Sequence, residues 1–151
     1  MMKLATNILV ATDFGETAEL ALDYAILLAE KLDAKVHVVH AVSTPEPGMP
    51  ELGVAVVSTM MQRLMREGRV SLEQLIKRQH GRARSGEAFL RTGDARDVVL
   101  QVSHELAIDL IVMGTHGRQG LSRALLGSVA ETVVRNARCP VLTVSAKAVW
   151  L

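Results

Sequence analysis

Aromatic residues are scarce in this chain: 2 Phe, 1 Trp and 1 Tyr in 151 residues. A core with so few rings has to be assembled from Val, Leu, Ile, Ala and Met. There is 1 cysteine, Cys139, which excludes an intrachain disulfide. Its setting, Arg138-Cys139-Pro140-Val141, opens an apolar run and reads as a buried structural thiol rather than a nucleophile. No apolar run approaches the roughly 18 residues that a membrane-crossing helix needs. The segment from Met1 to Thr6 is too short and too polar to read as a signal peptide. The formal charge of +1 gives no global field, so neither nucleic acid nor a membrane surface is an expected partner. These absences predict a reduced, cytoplasmic protein. Its length fits one domain over residues 1–151.

Several chemistries are excluded by missing motifs. There is no G-x-x-x-x-G-K-[ST] phosphate loop, and no G-x-G-x-x-G follows the first strand-like run. No G-x-S-x-G nucleophile turn and no His/Cys cluster with metal-ligand spacing occurs. His37 and His40, three apart on a predicted strand, point to opposite faces and make no joint site. His40 reads as a core histidine near the mouth of the sheet. The basic cluster Arg78, His80, Arg82 and Arg84 reads as a solvated helix end, where cations are favoured.

What is present is a regular alternation. Asn7 to Thr12 is a continuous apolar run of the kind found in strands buried on both faces, ending at Asp13. Ala18, Ala21, Leu22, Ala25, Leu28, Ala29 and Leu32 form a helical stripe rich in small residues. Val36 to Val42 is a second strand. A loop over 43–52 follows, with Pro45, Pro47, Gly48 and Pro50. Met61, Leu64, Met65, Leu72, Leu75 and Ile76 mark a helix stopped by Gly81, with Gly68 on the same face. A strand over 83–91 precedes a helix capped by Asp94, whose inward face is Val98, Val99, Val102 and Leu106. A strand over 110–113, a helix over 128–137 (Ala130, Val133, Val134 and Ala137 inward) and a strand over Val141–Val144 complete the chain. This pattern predicts a parallel sheet with helices on both faces. In such sheets ligands bind beyond the carboxyl ends of the strands, where Asp13 and Gly114 both fall.

The most informative stretch is Met113-Gly114-Thr115-His116-Gly117-Arg118-Gln119, followed by Gly127-Ser128-Val129. Its glycines are spaced G-x2-G-x9-G-S, and no acid lies between Gly114 and Gly127, whereas Arg118 and Arg123 do. Glycine lets backbone N–H groups approach a ligand, and a helix N-terminus favours anions. The stretch reads as a phosphate cradle, with turn glycines of a plain loop as the alternative. Gly127 permits close approach or a positive φ. Ser128-Val129-Ala130-Glu131 has the S-x-x-E form of a capping box, so Ser128 is expected to cap the helix and to offer its hydroxyl to the same crevice. Asp13 can accept from a ribose hydroxyl, help hold a phosphate-bound metal, or cap the first helix.

The motif, together with Ile8-Leu9-Val10-Ala11-Thr12-Asp13-Phe14 and Cys139-Pro140-Val141-Leu142-Thr143-Val144, resembles the ATP-binding branch of the universal stress protein family over essentially the whole chain. The resemblance implies an α/β fold, an open five-stranded parallel sheet of order 3-2-1-4-5, Rossmann-like. It implies an adenine-nucleotide site made by Ala11, Thr12 and Asp13 at the first strand, Ala41 at the second for the base, and Met113, Gly114, Thr115, His116, Gly117, Arg118, Gln119, Gly127, Ser128 and Val129 for ribose and phosphates. The ligand implied is ATP, with AMP or ADP as alternatives, and Mg2+ held mainly through the phosphates. It also implies a homodimer through the final strand, Val141–Val144.

One departure is Gly15, where many relatives carry a serine. The arginine at 123 and the tail with Trp150 are not fixed by the motif. Of the function classes, a nucleotide-dependent sensor or signalling module in stress response leads. A slow ATPase or phosphotransferase is second, because only Asp13 and His116 offer a base and the sequence shows no orienting partner for either. No residue is assigned a catalytic or metal-ligating role. A nucleotide-free dimeric interaction module is third.

Overall fold

The computed structural model describes residues 3–45, 53–116 and 126–147. Strands and helices alternate: β1 Asn7–Ala11, α1 Glu16–Leu32, β2 Lys35–Val42, α2 Gly53–Gln79, β3 Arg84–Thr92, α3 Ala95–Glu105, β4 Leu110–Gly114, α4 Ser128–Asn136 and β5 Val141–Val144. The strands form one parallel sheet of order β3-β2-β1-β4-β5, the expected order.

The period-two alternation of each strand divides the core into two layers. Ile8, Val10, Val36, Val38, Val112 and Val144 face α1 and α2. Leu9, Val39, Ile111 and Met113 face α3 and α4. Ile8, Leu9 and Val10 are wholly buried; each such side chain contributes about 1.5–3 kcal/mol by leaving water. On α1, Ala21, Ala25 and Ala29 are fully buried, so their small side chains let the helix lie close on the sheet. Ile26 joins them, a core residue the predicted stripe omitted.

Two helices differ from expectation. The stripe of α2 is unevenly covered: Leu72 and Leu75 are buried and Met61 and Met65 half-buried, whereas Leu64 and Ile76 are exposed. Val134 of α4 is 45% exposed and so does not face inward. Ser128 is not the cap of α4. Gly127 is the N-cap, with φ −67 and ψ 163, and Glu131 N–H donates to its carbonyl at 2.9 Å. The physical reason lies at the loop's base, where Gly127 N–H donates to Thr115 C=O at 2.6 Å and sets the helix start one residue earlier. Glu131 is consequently one residue past the position from which a capping box reaches back, and pairs with Arg135. Nor does Gly127 use a positive φ.

Other expectations hold. Asp94 caps α3 by accepting from Arg96 N–H at 2.9 Å. The Arg96 side chain adds to this and holds the Asp94 carboxyl down to about 2. The basic cluster runs from the end of α2 to the first residue of β3, and its cations meet acids of α1 and its C-cap: Arg78 with Glu19, Arg82 with Asp23, and Arg84 with Asp33. All are solvent-exposed pairs, each worth about 0–1 kcal/mol. Cys139 is half-buried rather than buried; burial, then Asp109, pushes its thiol up, which argues against a nucleophile. Among the described residues no helix is long and apolar enough to cross a membrane.

Candidate functional site

The carboxyl ends of β1, β2 and β4 and the amino end of α4 open onto one cavity of about 420 Å³. That volume falls in the range of about 300–1,000 Å³ common to small-molecule sites. From β1 come Ala11, Thr12 and Asp13, and from β2 Ala41. Met113, Gly114, Thr115 and His116 line it from β4 and the turn beyond; Gly127, Ser128 and Val129 line it from α4. Gly117, Arg118 and Gln119 lie outside the described residues, as do Arg123, Trp150 and the prolines at 47 and 50. Every described residue singled out in the sequence as a nucleotide contact therefore borders this one space.

Sequence reasoning missed part of the lining. Val39, Ala95 and Val99 form an apolar wall with Ala41. The signal for Ala95 was available, since it follows the Asp94 cap and must lie at the same end of the sheet. His40, expected only near the mouth, also lines the cavity.

The polar groups at the mouth are engaged by the backbone beside them. Thr12 Oγ1 accepts from Phe14 N–H at 3.0 Å, and Asp13 Oδ1 accepts from Gly15 N–H at 2.8 Å. Asp13 thus tethers the N-cap residue of α1. His116 Nδ1 lies 3.0 Å from Thr115 Oγ1, an orienting partner that the sequence did not reveal. At α4 the bond from Glu131 N–H to Gly127 C=O closes the first turn, which is made by Ser128, Val129 and Ala130. All three residues line the cavity, and a helix start of this kind favours an anion. Among the described residues no group of three or more His, Cys, Asp or Glu side chains is placed to hold a metal ion.

Residues 5–145 match the model of the universal stress protein family. The chain belongs to that family. Universal stress protein MJ0531 of Methanocaldococcus jannaschii is 34% identical over 142 residues, covering 93% of this chain and 82% of the relative. The solved structure of MJ0577, from the same organism, superposes with a TM-score of 0.84 at 26% identity, covering 97% of this chain and all of that one (100%). The universal stress protein At3g01520 of Arabidopsis thaliana, solved with AMP bound, shares the fold at 22% identity, with a TM-score of 0.65 over 95% of this chain and 93% of that one. A five-stranded parallel sheet with helices on both sides is thus common to this universal stress protein and its solved neighbours.

Proposed function

We propose that this universal stress protein belongs to the ATP-binding branch and acts as a nucleotide-dependent sensor in stress response. Its ligand is ATP, with AMP or ADP as alternatives. The observation that carries the reading is the cavity itself. An apolar wall of Val39, Ala41, Ala95 and Val99 suits a purine face, and the amino end of α4 at the other side suits phosphate. The AMP found in the plant relative supports the same class of ligand. Asp13 and Thr12 sit where a ribose would meet the end of β1. Any Mg2+ accompanying the nucleotide would be held mainly through its phosphates.

The reading is one of binding rather than turnover. Both candidate bases, Asp13 and His116, are engaged within their own turns. The homodimer implied by the resemblance would form along β5, the terminal strand of the sheet, whose outer edge has no strand beside it among the described residues.

Calorimetric titration with ATP and AMP tests the site. Gly127→Val introduces a branched side chain at the amino end of α4, at a φ and ψ that valine can adopt. Binding by the native chain and its loss in a folded variant is the expected result. Equal affinity in the two proteins removes the site assignment, and a native mass spectrum free of adenine nucleotide at saturating ligand removes the ligand class.

A further inference from the structure

We propose that His40 is a positioning residue for this crevice, acting through Thr12 to aim Asp13; the inference rests on the adenine-nucleotide reading and deepens it. His40 Nδ1 lies 2.8 Å from Thr12 C=O. A carbonyl oxygen only accepts, so Nδ1 carries the proton and donates. This bond completes a set of three on one residue. Thr12 N–H donates to Val39 C=O at 2.9 Å, and Thr12 Oγ1 accepts from Phe14 N–H at 3.0 Å. Thr12 is thus pinned at its amide, its carbonyl and its hydroxyl, on the residue before the acid at the mouth.

The next residue shows why such pinning is needed. Phe14 has φ +62, a left-handed conformation that a bulky residue rarely adopts. The turn that brings Asp13 to the cavity depends on it. Besides its packing against the core, Phe14 is held there by the bond from its N–H to Thr12 and by the His40 ring, whose centroid is 4.4 Å from that of Phe14. Behind His40, α2 carries Gly68. A Cβ at Gly68 would stand 3.3 Å from His40 Cδ2 and 2.9 Å from Leu90 Cδ1, so the missing side chain makes room for the imidazole. The imidazole is therefore seated from one side, bonded on another and in tilted ring contact on a third.

Two substitutions separate the donor from the ring. His40→Asn places an amide N–H near the Nδ1 position but gives up the ring that packs on Phe14. His40→Phe keeps a ring and gives up the donor. The nucleotide affinities are measured with AMP and ATP, and amide exchange of residues 12 to 15 is followed in the nucleotide-free protein. We expect His40→Phe to weaken binding about tenfold, the worth of one lost hydrogen bond, and His40→Asn to stay within about threefold of native. Melting temperature should rank the other way, with His40→Phe the more stable. Amide exchange at Phe14 and Gly15 should quicken in both variants, since one loses the donor and the other the ring, and more in His40→Phe. Affinity that follows melting temperature, or native binding in His40→Phe, overturns the proposal. If the native chain binds neither nucleotide, the functional reading falls by itself, and unchanged exchange in His40→Phe still overturns the positioning role.

Discussion

A Cβ placed on Gly114 would lie 2.8 Å from Thr17 Cγ2, 3.1 Å from Thr17 Cβ and 3.2 Å from the Thr17 carbonyl carbon. The first glycine of the motif is therefore required by the first turn of α1, which packs directly on the end of β4. A glycine read as making room for phosphate also makes room for a helix. That helix start is the one that Asp13 tethers, so the packing of Gly114 and the placement of Asp13 are parts of one junction.

Gly114→Ala should cost about 1–3 kcal/mol of stability, the usual range for overpacking a tight contact. Adding Thr17→Ser removes only Cγ2, the nearest atom. The contacts at 3.1 and 3.2 Å remain, so the double variant should recover part of the loss and not all of it. Urea denaturation of the two single variants and the double variant measures this. Full native stability in Gly114→Ala would show that α1 is free to move away.

The start of α4 leads to a second prediction. Because Gly127 is the N-cap, Ser128 occupies the first helical position and its hydroxyl is not needed to close the helix. Ser128→Ala should leave stability within about 0.5 kcal/mol, since alanine is the better helix former. If the hydroxyl meets a phosphate, affinity for ATP should fall by about fivefold to tenfold, the worth of one hydrogen bond. Thermal melting and calorimetry on the same sample separate the two effects. A loss of about 1 kcal/mol or more in the nucleotide-free protein would restore Ser128 as the cap.

The architecture was legible in the residues because buried parallel strands announce themselves. Ile8-Leu9-Val10 and Ile111-Val112-Met113 are apolar without alternation, and the alanines of α1 mark a helix pressed onto a sheet. The site was legible to the extent that Asp13 and Gly114 end neighbouring strands. What could not be read was set by tertiary contact. The S-x-x-E pattern at Ser128 is a sound local signal, and a bond from Gly127 to Thr115, across the loop, overrides it. His40 looks like any strand histidine until Thr12 C=O is placed beside it. On α2, Leu72 and Leu75 of the stripe are buried while Leu64 and Ile76 are exposed, and periodicity alone does not distinguish covered from bare.

Gly86 and His37 provide the last prediction, at the opposite end of the sheet from the cavity. The register between β2 and β3 steps from Val36↔Ser85 to Val38↔Ala88, so His37 stands opposite two residues, Gly86 and Glu87. This is a bulge, and the imidazole completes it: Glu87 N–H donates to Nδ1 at 2.9 Å, and Nε2 faces Asn7 Oδ1 at 3.4 Å. Nδ1 therefore accepts, Nε2 carries the proton, and the ring is neutral. Burial pushes the His37 pKa below its ordinary value, with Glu87 opposing and Lys35 assisting. The unfolded chain takes up a proton first as pH falls. His37 thus contributes stability that is full above about pH 6.5 and is lost as pH drops below it toward the folded value. Urea midpoints taken from pH 7.5 to 5 should decline more steeply for the native chain than for His37→Gln, and parallel curves would refute this. Gly86→Ala should cost about 1–3 kcal/mol or more, because a Cβ there meets His37 Nδ1 and Val36 C=O, both at 2.6 Å. Adding His37→Ala relieves one contact and leaves the backbone carbonyl in place, so it should not restore stability. Recovery in the double variant would mean that the imidazole alone, and not the β2 backbone, demands a glycine at this bulge.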